Sequence, residues 1–135
     1  MASAAKASLK KPKEINIKVF VRVRPLNGIE LAHNEDMAAE YDELRSEITF
    51  PGAKPWTFDR VYGVDTQQGP FYMDVAEDVV KSCLDGFNGT VFAYGQTGAG
   101  KSWSMEGSKD EPGIQARAMK QLFASVDDIK NAHPE

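Results

Sequence analysis

The chain has 135 residues, 41 % of them hydrophobic, and a formal net charge of -4. That is enough apolar material for one domain with a buried core, and the acidic balance argues against a general nucleic-acid binder. A lone cysteine, Cys83, cannot form an internal disulfide, no signal-like apolar run opens the chain, and no segment nears the roughly 18 apolar residues of a membrane span; the expectation is a reducing, cytoplasmic setting without nucleic-acid or membrane partners.

Residues 1–14, MASAAKASLKKPKE, are small, polar and basic without hydrophobic periodicity, and read as a flexible basic arm. INIKVFVRVRPL, residues 15–26, alternates Ile15, Ile17, Val19, Val21 and Val23 on one face, the period of a strand, and Pro25 ends it. Its other face carries Lys18, Phe20, Arg22 and Arg24, so it becomes cationic at the carboxyl end, where open α/β sheets bind ligands. Residues 27–46 are acidic and weakly patterned, a surface excursion. Ile48–Phe50 and WTFDRVY, around a Pro-Gly turn, suggest two short strands of a small antiparallel flap or edge.

From Pro70 onward Phe71, Val75, Val79 and Cys83 recur at helical spacing, with Val80 and Leu84 widening the stripe and Gly86 as the stop. On that pattern Cys83 faces a core. Asn88-Gly89-Thr90 matches a glycosylation sequon but is read as a turn. Thr90–Tyr94 follows as a short buried strand, then a glycine-rich loop and a short helix from about Gly100. GSKDEPG, residues 107–113, forms a loop, and Ile114, Ala118, Leu122, Val126 and Ile129 restore a helical period to near Lys130.

GQTGAGKS, from Gly95 through Gln96, Thr97, Gly98, Ala99, Gly100 and Lys101 to Ser102, fits the phosphate-loop pattern G-x-x-x-x-G-K-[ST]. Gly95, Gly98 and Gly100 let the backbone close around a phosphate so that successive N–H groups point inward, and the following helix start adds positive potential. Lys101 reaches the β and γ phosphates of ATP, and the Ser102 hydroxyl is the expected ligand of Mg²⁺. A P-loop hydrolase also needs an acidic residue behind the metal and a group that positions water. Asp127 and Asp128 lie on the last periodic helix and Asp59 on a short upstream strand, so none suits that role, and no catalytic residue is assigned.

Three blocks, IKVFVRVRPLN at 17–27, TFDRVYG at 57–63 and LDGFNGTVFAYGQTGAGKSWSMEG at 84–107, occur in the order found in kinesins, and the chain resembles the amino-terminal part of a kinesin motor domain over about residues 15–130. The resemblance implies an α/β, P-loop NTPase fold with a central β-sheet flanked by helices. It places Arg22 and Pro25, with Arg24 beside them, next to the adenine of ATP, and Trp103 where related motors carry an aromatic or histidine near the nucleotide. Microtubules are the implied partner, and the cytoplasmic cytoskeleton the implied location.

Departures accompany the matches. GSKDEPG is shorter than the loop of the mitotic tetrameric kinesins, and GIQARAM stands where many kinesins have G-I-I-P-R, keeping Arg117 without the proline. The switch motifs N-x-x-S-S-R and D-x-x-G-x-E do not occur in these residues. The expectation is therefore a motor-domain portion, 15–135, truncated before the switch regions, that binds Mg-ATP at most; the alternative is a non-motile kinesin-derived nucleotide-binding or interaction module. A small P-loop kinase fits less well, because its loop follows the first strand. In the family's central sheet two later strands flank the phosphate-loop strand, so the strands at 15–24 and 90–94 should leave a gap or pair with one another.

Overall fold

The structure is a computed structural model and describes residues 17–132. The basic arm, and the first residues of the first strand pattern, lie outside the described residues.

Strand β1, Phe20–Arg22, pairs in parallel with β5, Arg60–Tyr62, in the register Phe20 to Arg60, Val21 to Val61 and Arg22 to Tyr62. Backbone bonds from Val23 N to Tyr62 O and from Asp59 N to Val19 O extend the pairing at each end. The strand is thus shorter than its alternation suggests, and its core-facing side differs too. Val19 is 47 % exposed, whereas Phe20, on the face that alternation marks as polar, packs against the core. The sequence period identifies two faces but not which of them a parallel pair turns inward.

Between β1 and β5 the chain makes α1 (Gly28–Ala32), then β2 (Glu40–Asp42), β3 (Glu47–Thr49) and β4 (Trp56–Thr57). The last three form an antiparallel sheet in that order, with Ile48 buried beneath it. The expected flap is present in part: WTFDRVY, expected as one of its two strands, splits into β4, which pairs with β3, and β5, which pairs with β1 instead; the acidic excursion is more ordered than expected, contributing α1 and β2. Helix α1 starts on a capping box: Asn27 Oδ1 accepts from Ile29 N and Glu30 N, and Glu30 Oε2 accepts from Asn27 N.

The helix expected after Pro70 is two helices, α2 (Gln68–Val75) and α3 (Glu77–Leu84), broken at Ala76, whose φ is -128°. Both pack on the long helix α5, Ile114–Ala132. The break shifts the phase of the apolar stripe, so Phe71 is buried but Cys83 is exposed, against the expectation that it faces a core. Gly86, at φ 91°, follows the end of α3 as expected. Tyr62, Phe71, Tyr72, Ala76 and Ile114 form the main core, with the Tyr62 and Phe71 rings edge to face at 4.9 Å.

Thr90–Tyr94 does not form the buried strand its composition suggests. No ladder assigns it a partner among the described residues, it does not pair with β1, and Phe92 and Tyr94 are 74 % and 94 % exposed. Only Val91 turns into the core. The short helix α4, Lys101–Met105, and the 107–113 loop, closed by a bridge from Gly107 to Pro112, follow as expected. Helix α5 carries Ile114, Ala118, Leu122 and Val126 on its inward stripe; the Ile129 side chain lies outside the described residues.

Candidate functional site

The carboxyl end of β1, the turn into α2 and the first turn of α4 converge on a cleft of about 400 Å³. Of the sequence-derived site residues, Arg22, Arg24, Pro25, Ala99, Gly100 and Trp103 line it. Gly95, Gln96, Thr97, Gly98, Lys101 and Ser102 do not; they form the adjoining loop and the start of α4.

At two of the loop's three positive-φ glycines the backbone angle alone selects glycine. Gly98 has φ 82° and Gly100, the residue that caps the start of α4, has φ 94°, and a Cβ at either would meet nothing closer than 3.9 Å. Backbone geometry rather than crowding selects glycine there. The Lys101 ammonium folds back over the loop, donating to Gly95 O and Gln96 O at 2.7 Å each. A cation held by two carbonyls at a glycine-rich bend is suited to a polyphosphate. Ser102 is exposed beside it, and among the described residues no cluster of His, Cys, Asp and Glu is arranged to hold a metal.

At the other end of the cleft the two arginines do different work. Arg22 points into the protein: Nη1 donates to Gln68 Oε1 at 2.9 Å and Ser104 Oγ at 3.2 Å, Nη2 donates to Thr66 O at 2.8 Å, and Cζ lies 4.5 Å from the Phe71 ring centroid. Burial pushes its pKa down, opposed by the Glu111 carboxylate, and a guanidinium so perturbed still stays charged. Arg24 lies at the rim, paired with Glu30 through both of its terminal nitrogens at 2.7 and 2.5 Å, and with Pro25 O. The Arg24 hydrogen bond, then the Asn27 N–H, hold the Glu30 carboxyl down at about 2. Trp103, 43 % exposed, presents its side chain to the cleft, and its carbonyl accepts from Gln68 Nε2 at 2.7 Å.

Sequence reasoning did not single out Gln68, Thr66, Ser104, Glu30 or Glu111, all of which build or line this site. Asn27-x-x-Glu30 was readable as a capping box. Gln68 carried no such signal: a glutamine before Gly-Pro has the composition of a loop, yet it is 1 % exposed.

A family model for the kinesin motor domain matches residues 22–134. The chain is 36 % identical over 119 residues to Kinesin-related protein 7 of Dictyostelium discoideum, covering 88 % of this chain and 10 % of that protein. It is 41 % identical over 115 residues to the Kinesin-1 heavy chain of Rattus norvegicus (83 % and 12 %) and 40 % identical over 113 residues to Kinesin-like protein KIN-14T of Arabidopsis thaliana (84 % and 13 %). It thus spans about a tenth of the length of the curated relatives it matches.

Proposed function

The chain belongs to the kinesin motor-domain family, and on that premise we propose that it is the ATP-binding, amino-terminal part of a microtubule-based motor. Kinesins are cytoskeletal motors that bind nucleotide with Mg²⁺. In this reading residues 15–135 begin the motor domain, preceded by the basic arm at 1–14, and the switch motifs and main microtubule-binding surface belong to sequence outside the 135 residues.

The backbone of Gly95, Gln96, Thr97, Gly98, Ala99 and Gly100 cradles the phosphates, and Lys101 supplies the cation for the β and γ groups. Ser102 holds Mg²⁺, which when bound neutralises phosphate charge. The base takes the cleft beside Arg24, Pro25 and Trp103, while Arg22 supports that end from behind. The observation that carries this reading is the Lys101 ammonium, 2.7 Å from both Gly95 O and Gln96 O, beside a cleft of about 400 Å³.

Calorimetric titration with Mg-ATP tests it. The chain is expected to bind, and Lys101→Ala to weaken binding at least about tenfold, the loss of one charge-assisted contact. Equal affinity in the two proteins, or no binding by a folded sample, contradicts the assignment. Hydrolysis is expected to be negligible, because the 135 residues contain neither switch motif; microtubule-stimulated phosphate release above the Lys101→Ala background would overturn that part.

A further inference from the structure

The two ends of the cleft are joined through one buried side chain. Gln68 is 1 % exposed, and both of its polar atoms are engaged, in opposite directions: Oε1 accepts from Arg22 on β1, and Nε2 donates to the carbonyl of Trp103 in α4. Its orientation is forced, since a guanidinium only donates and a carbonyl only accepts. Helix α4 begins with Lys101 and Ser102, whereas β1 leads to Arg24 and Pro25. A direct hydrogen bond between them runs from Arg22 Nη1 to Ser104 Oγ, a longer contact at 3.2 Å.

From this geometry we propose that Gln68 is a positioning residue that holds the phosphate-binding start of α4 in register with the base-binding end of β1. The proposal rests on the reading of the cleft as an ATP site. An amide suits the task because it donates and accepts at once without charge. A carboxylate in its place keeps the Arg22 bond and loses the one to Trp103, and a methionine of similar length loses both. A ligand that touches both ends of the cleft depends on their register; a ligand confined to the phosphate loop does not.

The test compares Mg-ATP with Mg-tripolyphosphate, which has no base, on the 135-residue chain and on Gln68→Met and Gln68→Glu. Both variants are expected to lose about tenfold in ATP affinity while tripolyphosphate affinity changes by less than about twofold. Gln68→Glu keeps Arg22 partnered, so it reports on the Trp103 bond even where Gln68→Met folds poorly. Equal losses for both ligands would mean that Gln68 only supports the fold, and no loss for either would mean that it couples nothing; each overturns the proposal. A wild-type chain that binds neither ligand contradicts the ATP-site reading instead, and amide exchange then decides the coupling. Faster exchange in α4 than in α5 on substitution supports it, and unchanged exchange in α4 refutes it.

Discussion

VFVRV at 19–23 and TVFAY at 90–94 have nearly the same apolar, β-prone composition, and the molecule treats them differently. The first finds a parallel partner in β5 and supports Phe20 and Arg22 against the core. The second finds no ladder among the described residues and leaves Phe92 and Tyr94 in solvent. Composition describes side chains, whereas a strand is completed only by a neighbour that offers backbone donors and acceptors in register. Both stretches run into the candidate site, one ending at Arg22–Pro25 and the other at Gly95. One side of the cleft therefore stands on a paired strand and the other on an unpaired segment, which gives Gln68 and Arg22 their importance.

Core truncation should show the largest contrast. Phe71→Ala, beneath Arg22 and against Tyr62, is expected to cost about 4 kcal/mol in urea denaturation, and Phe92→Ala on the unpaired segment less than about 0.5 kcal/mol. Similar costs would show that Phe92 is packed and that the comparison is wrong. Arg22→Ala comes next, at about 2 to 3 kcal/mol, because it strips the donors from Gln68 Oε1, Ser104 Oγ and Thr66 O in a half-buried setting. A cost near that of an ordinary surface substitution would remove the brace from the account.

Gly100→Ala is expected to destabilise by about 1 kcal/mol, since φ 94° disfavours a Cβ although the space is open. A stabilised Gly100→Ala variant would show that the loop does not hold this conformation.

The smallest effect lies at the rim, on Glu30. Its folded-state carboxyl is depressed to about 2 from the ordinary value of 4.5, so the stability it contributes is fully present above about pH 4.5 and is lost as pH falls through about 2. Glu30→Gln should flatten that acid limb of the stability curve and lower the neutral plateau by the same amount, a small one because the pair is solvent-screened. An identical acid limb in the two proteins would place the titration elsewhere.

The parts legible in the sequence were those set by local chemistry. GQTGAGKS specifies glycine-dependent φ values and a lysine at the bend, and the Ile114–Val126 spacing specifies a helix with one inward stripe. The parts that were not legible depend on distant partners. Nothing in TVFAY itself says that no strand among the described residues pairs with it. The break at Ala76 was equally hidden, because alanine is the strongest helix former; yet it is 1 % exposed in the core and turns α3 so that Cys83 leaves the buried stripe. For Arg22, the cationic end of β1 was visible but its direction was not. Its acceptors come from positions 66, 68 and 104, and only the fold brings them together.

The most direct test of the account is amide exchange with and without Mg-ATP, because it reads the cradle residue by residue. Slower exchange confined to residues 95–105 and the carboxyl end of β1 is the expected result, with Thr90–Tyr94 exchanging faster than β5 in the absence of nucleotide. Exchange at residues 95–105 that Mg-ATP leaves unchanged, in a sample whose β5 and α5 amides are protected, would contradict the claim that this loop is a nucleotide site.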